Sequence, residues 1–230
     1  MNFLNRSETI RHELSVERNK VKLVDCHWSY VKLTAILIIA LLPACGALKP
    51  LPSDRHYQLG VNHLSASVDS SRWTEEPIRV AKFQANGVHR ERSIVRSESG
   101  KFAVQQLRYD LWVDSPERML QTELVSYLRA ANVAPVVSTS NVHRSGYEIA
   151  GRILRFEQVV DGDGTSIAVV LGLELAALKS PPTLVLAREY EEIAAAGNGD
   201  IEASVASISA AIETIFRRFV ADAGTTLRQQ

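Results

Sequence analysis

The strongest strand pattern in the chain lies at residues 166–178, which read Ser-Ile-Ala-Val-Val-Leu-Gly-Leu-Glu-Leu-Ala-Ala-Leu. Every second residue from Ile167 to Leu175 is large and apolar, whereas the residues between them are small or mixed. A period of two is typical of a strand with one buried face. The stretch therefore predicts a long strand that packs one face against a hydrophobic layer.

Two further strand patterns flank this one, at residues 147–160 and 183–191. The first alternates and then shifts register through Leu154 and Phe156, which predicts a bulge near Ile153. The connections, Asp161-Gly-Asp-Gly and Lys179-Ser-Pro-Pro, are short and rich in turn residues. Three consecutive strands joined by tight turns predict an antiparallel meander.

A C-terminal helix follows the break at residues 197–199, with Asp200 as its predicted cap. Its apolar residues recur at spacings of three and four, at Ile201, Val205, Ile208, Ile212, Ile215 and Phe219. This periodicity indicates one apolar stripe along the helix. We expect the stripe to cover one face of the sheet; the alternative is a seam between copies of the chain, which would make the protein a homo-oligomer.

A second helix is predicted after Ser115, which can cap it, with Pro116 in its first turn. Its apolar stripe comprises Leu120, Leu124, Leu128 and Ala131. The preceding residues 102–113 alternate, which predicts a strand that buries Leu107, Tyr109, Leu111 and Val113 and exposes Gln106, Arg108 and Asp110. Shorter strands are predicted at residues 56–61, 78–83, 93–96 and 133–137. The fold class is α/β, an antiparallel or mixed sheet packed by two main helices.

Residues 33–46 read Leu-Thr-Ala-Ile-Leu-Ile-Ile-Ala-Leu-Leu-Pro-Ala-Cys-Gly. An apolar run of about ten residues is shorter than the roughly 20 that span a bilayer, but it fits the core of a secretory signal. The small Ala44 followed by Cys45 resembles a bacterial lipoprotein signal. That resemblance implies cleavage before Cys45 and attachment of lipid to its thiol. The alternatives are a plain transmembrane anchor and an internal buried strand.

This interpretation divides the chain into a leader at 1–44, a lipidated tether at 45–55, a domain at 56–223 and a tail at 224–230. Residues 1–32 carry acidic as well as basic residues, so either the true start lies nearer Val24 or Val31, or the signal begins with a long charged segment. The tether contains Pro50 and Pro52, which stiffen it.

The whole chain has 26 Lys and Arg and 26 Asp and Glu. The leader holds six basic and four acidic residues, so the remaining chain has a net charge of about −2. No basic stripe of the kind that binds nucleic acid is present. Cys26 lies in the leader and Cys45 would carry lipid, so the mature domain would contain no disulfide.

The sequence offers no clear constellation for catalysis, a metal or a cofactor, and we expect a protein that is not an enzyme. His56, His63, His89 and His143 have no metal-ligand spacing. Asp161-Gly-Asp-Gly matches the start of a calcium loop, but Gly172 stands where the bidentate acid belongs, which favours a hairpin turn. A basic run at Arg90, Arg92, Arg96 and Lys101 could contact anionic headgroups, but interleaved Glu residues favour a solvated face.

Several segments together resemble the ABC-type transport auxiliary lipoproteins, a family that includes the paraquat-inducible lipoprotein C. After the lipoprotein signal come Tyr57-Gln-Leu, Ile78-Arg-Val-Ala-Lys-Phe and Leu107-Arg-Tyr-Asp-Leu-Trp-Val-Asp-Ser-Pro, then Tyr147-Glu-Ile-Ala-Gly-Arg-Ile-Leu-Arg-Phe-Glu. The similarity covers most of residues 45–222. It implies an α/β sandwich resembling the TolB N-terminal domain, no catalytic residues, and Cys45 as the lipid attachment site.

The resemblance also implies a role at the bacterial outer membrane, on its periplasmic side. The partners would be an MCE-domain substrate-binding protein and the permease and ATPase of an ABC-type lipid transport system. Gly46 after the cysteine, in place of the Asp that favours inner-membrane retention, permits outer-membrane sorting. The alternatives are an envelope-assembly or stress lipoprotein unconnected to lipid transport, and a periplasmic hydrolase.

Overall fold

The computed structural model describes residues 52–67, 72–140, 145–162, 164–197 and 199–229. These residues form two α-helices, α1 (Pro116–Ala130) and α2 (Ile201–Arg228), and 3-10 helices at His63–Ser67 and Gly87–Arg90. The strands are β1 (Arg55–Tyr57), β2 (Ile78–Val80), β3 (Gln84–Ala85), β4 (Ser93–Glu98), β5 (Val104–Trp112), β6 (Val137–Ser138), β7 (Tyr147–Asp161), β8 (Gly164–Ala177) and β9 (Thr183–Ala195). The predicted α/β class is confirmed; the likeness to TolB stays a prediction.

All nine described strands belong to one mixed sheet. Strands β7, β8 and β9 form the antiparallel meander, with β8 in the middle. The other edge of β7 pairs in parallel with β2, β3 and β4 at successive points along its length. Strand β5 pairs antiparallel with β4. At the edges, β1 pairs in parallel with β5, and β6 pairs in parallel with β2. The predicted bulge is confirmed, because the register shifts between Ile153 and Arg155.

One face of the sheet carries both helices, and we call it the helix face. Its centre on β8 comprises Ile167, Val169, Leu171, Leu173 and Leu175, all of which have no solvent exposure. The predicted burial of this row is therefore confirmed. The opposite, open face carries Ala168, Val170, Gly172, Glu174 and Ala176 on the same strand.

Helix α2 covers the long strands β8 and β9. Its stripe is buried from Ile201 to Phe219, as the periodicity predicted, so it packs on the sheet and does not form an outward seam. Asp200 caps the helix by accepting a hydrogen bond from the Ala203 amide at 2.6 Å. The helix continues to Arg228, through residues that the sequence analysis placed in the tail.

Helix α1 lies beside α2 and buries the predicted stripe completely, at Leu120, Leu124, Leu128 and Ala131. The two helices meet where Tyr127 packs against Phe216, with ring centroids 5.7 Å apart. Ser115 occupies the N-cap position but makes no side-chain capping bond; its amide instead donates to Asp114 Oδ1 at 2.7 Å.

A buried glutamine fixes the position of α2 on the sheet. Gln158 of β7 has no exposure, and its Nε2 donates to Ser204 Oγ at 2.7 Å and to the Gly199 carbonyl at 3.2 Å. Its Oε1 accepts from Arg96 Nε at 2.6 Å. Because a buried amide costs free energy unless it is hydrogen-bonded, these contacts join β4, β7 and the start of α2 in one arrangement.

The predicted faces of β5 were wrong in part. Asp110 and Trp112 are buried at 9% and 1% exposure, whereas Val113 is exposed at 43%. The physical reason is an irregularity in the β4–β5 pairing between Ser93 and Val95, which shifts the register of the strand. The predicted strands at 56–61, 78–83 and 133–137 are also shorter in the structure, because pairing is limited to a few residues in each.

Replacing Ile212 with Asp tests the packing of α2. The change removes a fully buried apolar side chain and places an unpaired carboxylate in the core. We expect the free energy of unfolding to fall by at least about 3 kcal/mol. Urea unfolding of the variant should be compared with Ala221→Asp, an exposed position on the same helix. Equal stability of the two variants would mean that the stripe does not pack on the sheet.

Candidate functional site

Cys45, the predicted lipid attachment site, lies outside the described residues, as do the leader and residues 46–51 of the tether. The described chain starts at Pro52 and enters the sheet at Arg55. Lipidation therefore stays a prediction, and the structure describes the surfaces that a protein held by this N-terminus would present.

The entry point of the chain is fixed by one buried carboxylate. Asp110 pairs with Arg55, with 2.7 Å between Nη2 and Oδ1, and accepts a hydrogen bond from the Tyr57 hydroxyl at 3.1 Å. Burial raises the pKa of Tyr57, and the hydrogen bond and charge of Asp110 raise it further. The phenol thus stays protonated as a donor, and β1 is held beside β5. Sequence reasoning missed this role because it placed Asp110 on the solvent side.

A sharp hairpin connects β4 and β5, and residues 99–103 form what we call the hairpin tip. Gly100 adopts a φ of +73°, which favours glycine. The Ser99 amide donates to the Val160 carbonyl at 2.8 Å and thereby joins the tip to the end of β7. Lys101 pairs with Glu98, whereas Phe102 is fully exposed. The turn therefore presents a large apolar ring to solvent.

An open groove of about 410 Å³ crosses the open face next to the hairpin tip. Ala168 lies on its floor and is almost fully buried, and the exposed side chains of Val104 and Ile193 line it on β5 and β9. Glu157 is also part of the lining; it pairs with Arg155 at 2.6 Å and accepts from Ser97 Oγ at 3.2 Å. The buried carboxylate is therefore balanced by the guanidinium, and the groove combines apolar walls with a satisfied polar floor.

A second groove, of about 480 Å³, lies between the β1 segment and α2. The Gly60 amide donates to Ser209 Oγ at 3.1 Å, which draws the two elements together. Exposed alanines on α2, Ala206 and Ala210, form part of one wall, and Glu202 and Glu213 add acidic groups. Small side chains leave room for a ligand group, and the carboxylates favour a basic one.

Strand β9 is a long edge, since it pairs only with β8 among the described strands. Leu184 and Ile193 are exposed near its two ends, and Glu189 and Glu191 are exposed between them. Charged side chains on an edge strand oppose pairing with a further strand. Asp222 of α2 supports the strand by accepting from the Tyr190 hydroxyl at 2.8 Å and pairing with Arg188 at 2.7 Å.

The structure does not bring the predicted histidines together. His63 Nε2 lies 3.0 Å from Glu123 Oε2, His56 lines the groove beside α2, and His89 belongs to the 3-10 helix beside β7. His143 lies outside the described residues. Within the ranges that the structure describes, no group of three or more metal-binding side chains is present.

The basic run is also dispersed. Arg92 Nε donates to the Trp112 carbonyl at 2.9 Å, Arg96 binds Gln158, and Lys101 pairs with Glu98. These cations therefore support the sheet individually and do not form one patch. In the described part of the chain, no helix has the length and hydrophobicity needed to cross a membrane.

Comparison with solved structures places the fold among proteins of similar architecture. A DUF330-family protein from Xanthomonas campestris matches with a TM-score of 0.65 and 19% identity, over 76% of this chain and 98% of that one. A second structure, of an uncharacterized protein, matches with a TM-score of 0.60 and 12% identity, over 74% of this chain and 98% of the other. At such identities the likeness is one of fold. No family model matches the chain, and no curated protein matches its sequence.

The partly buried position of His89 predicts a pH dependence of stability. Burial lowers the pKa of His89, although the charge of Glu157 partly opposes this. The unfolded chain therefore takes up a proton at this residue more readily than the folded chain, and stability falls as pH drops through about 6.5. We expect His89→Gln to lose less unfolding free energy than the wild type between pH 7.5 and 5.5 in urea titrations. His56→Gln, a change at an exposed position, should keep the wild-type dependence; an unchanged His89→Gln profile would contradict the assignment.

Proposed function

We propose that this protein is a lipid-anchored accessory component of an MCE and ABC-type intermembrane lipid transport system. It would sit on the periplasmic side of the outer membrane and dock the complex there. The observation that carries the proposal is the Ala44-Cys45 signal placed a few residues before a compact domain. The order of motifs from Tyr57 to Phe156, which resembles the ABC-type transport auxiliary lipoproteins, supports the transport role.

On this proposal, anchoring and docking belong to different parts of the chain. The lipid on Cys45 holds the protein at the membrane, and the domain binds the partner. Energy and substrate recognition come from the ATPase, the permease and the MCE-domain protein, and the accessory protein performs no catalysis. The open, pre-formed surfaces of the domain are consistent with a binding role.

We assign docking of the MCE-domain protein to the groove between β1 and α2. This groove is bounded by the alanines of a firmly packed helix, and its acidic residues, Glu202 and Glu213, favour a partner that brings a basic side chain. The Gly60 contact to Ser209 holds its two sides in place before binding, so little ordering is required.

Changing Cys45 to Ser tests the anchor. The variant should stay an uncleaved, unacylated precursor, because the hydroxyl does not replace the thiol in the lipid transfer that the signal implies. Intact-mass analysis of the membrane fraction measures both states. Cys26→Ser, the change at the only other cysteine of the sequence, should be processed as wild type. A wild-type N-terminus at any residue other than acylated Cys45 would refute the anchor.

Changing Ala210 to Trp tests the docking groove. The indole would fill the space beside α2, so capture of the MCE-domain protein from detergent-solubilised membranes should fall at least tenfold. Ala221→Trp is the matched control, because it adds the same group at an exposed position of the same helix away from the groove. If both variants capture the partner like the wild type, docking lies elsewhere. If the wild type captures no MCE, permease or ATPase component, the assembly-factor alternative takes its place.

A further inference from the structure

The hairpin tip carries an apolar group that the fold does not use. Phe102 is fully exposed, while the turn beneath it is held by the Ser99 bond to β7 and by the Lys101 amide, which donates to the Glu98 carbonyl at 3.0 Å. The ring is thus presented on a supported turn. Val104, two residues further along the chain, and Ile193, across the adjoining groove, are also exposed apolar side chains at this end of the sheet.

The direction of β1 relates this tip to the membrane anchor. Because β1 runs parallel to β5, with Arg55 opposite Asp110, the chain before Arg55 leads toward the beginning of β5, where the tip lies. From Asp110 back to Val104 the strand covers about 20 Å. Six residues lie between Cys45 and Pro52, and the chain from Cys45 to Pro52 reaches at most about 25 Å. A lipid on Cys45 therefore keeps the bilayer within reach of the tip end of the sheet.

Charge decides which kind of contact the tip can make. Lys101 is paired with Glu98, and Asp161 lies in the lining of the same groove, so this end offers no excess of positive charge to anionic headgroups. Phenylalanine at a membrane interface gains free energy by burying its ring among acyl chains, without a charged lipid. The contact would thus be apolar and insensitive to anionic lipid.

We propose that the hairpin tip contacts the bilayer that holds the lipid anchor, with Phe102 buried at the interface. The tip then sets the orientation of the domain, so that the sheet projects from the membrane. The end of β9 that carries Leu184 is directed away from the bilayer. This inference rests on the proposed anchoring through Cys45.

The test uses the full-length, processed protein in phosphatidylcholine vesicles that contain brominated lipid, which quenches nearby tryptophan. Phe102→Trp should lose at least half of the added fluorescence relative to vesicles without bromine. Leu184→Trp is the matched control, since Leu184 is also exposed and apolar but lies at the opposite end of β9, roughly 35 Å away. Its emission should not change, and added phosphatidylglycerol should not increase the quenching of Phe102→Trp.

Two failures are distinguishable. If mass analysis finds Cys45 unacylated, the anchor is wrong and the orientation falls with it. If Cys45 is acylated but Phe102→Trp is unquenched, or Leu184→Trp is quenched equally, the tip proposal is overturned while the anchor stands. Quenching that appears only with anionic lipid would also overturn it, since the contact would then depend on charge. Wild-type protein, whose described tryptophans are Trp73 and Trp112, supplies the background signal.

Discussion

Pairing along both edges of β7 is the constraint on which the rest of the structure depends. One edge bonds to β8 along its whole length, and the other bonds in turn to β2, β3 and β4. The bulge between Ile153 and Arg155 lets one strand serve both halves, because it resets which side chains face the helices. Phe156 then packs on Trp112 of β5 with ring centroids 5.2 Å apart, while Gln158 reaches α2. Without the bulge, these side chains would point to the open face.

Close packing near the bulge shows how little freedom this arrangement leaves. A Cβ added to Gly151 would collide with the Phe83 ring, so the absence of a side chain there is what allows the ring to cover the strand. The short strands β2 and β3 flank Phe83 and bring it over β7. Gly151 and the Phe83 ring thus complete the core at the part of the β7 edge that pairs with the short strands β2 and β3.

Sequence reasoning identified the elements whose periodicity is long and uninterrupted. The row from Ile167 to Leu175 and the stripe from Ile201 to Phe219 are buried as their spacing predicts, because each pattern repeats over several turns or residue pairs. The buried and exposed faces of strand β5 were predicted wrongly in part. The irregular pairing opposite Ser93 depends on both β4 and β5, so the spacing within β5 alone does not reveal it. The parallel pairing of β1 with β5 is non-local in the same sense, so the role of Asp110 and the direction of the N-terminal chain could not be derived from spacing. Phe102 was predicted to belong to a strand, and only the geometry of the hairpin shows that it lies in the turn and is exposed to solvent.

The candidate surfaces follow from this topology, because their distance from the N-terminus is set by β1. Lipid chains supply affinity for a membrane but do not by themselves fix the orientation of the domain they hold. On the proposal made above, an apolar turn in contact with the membrane would remove part of that freedom without adding net charge. On the proposal made here, the contact at Phe102 would keep the groove beside α2 in a defined position above the membrane. A partner complex approaching from the periplasm would then meet the same face of the domain each time, and the entropic cost of docking would be lower than for a freely tumbling domain.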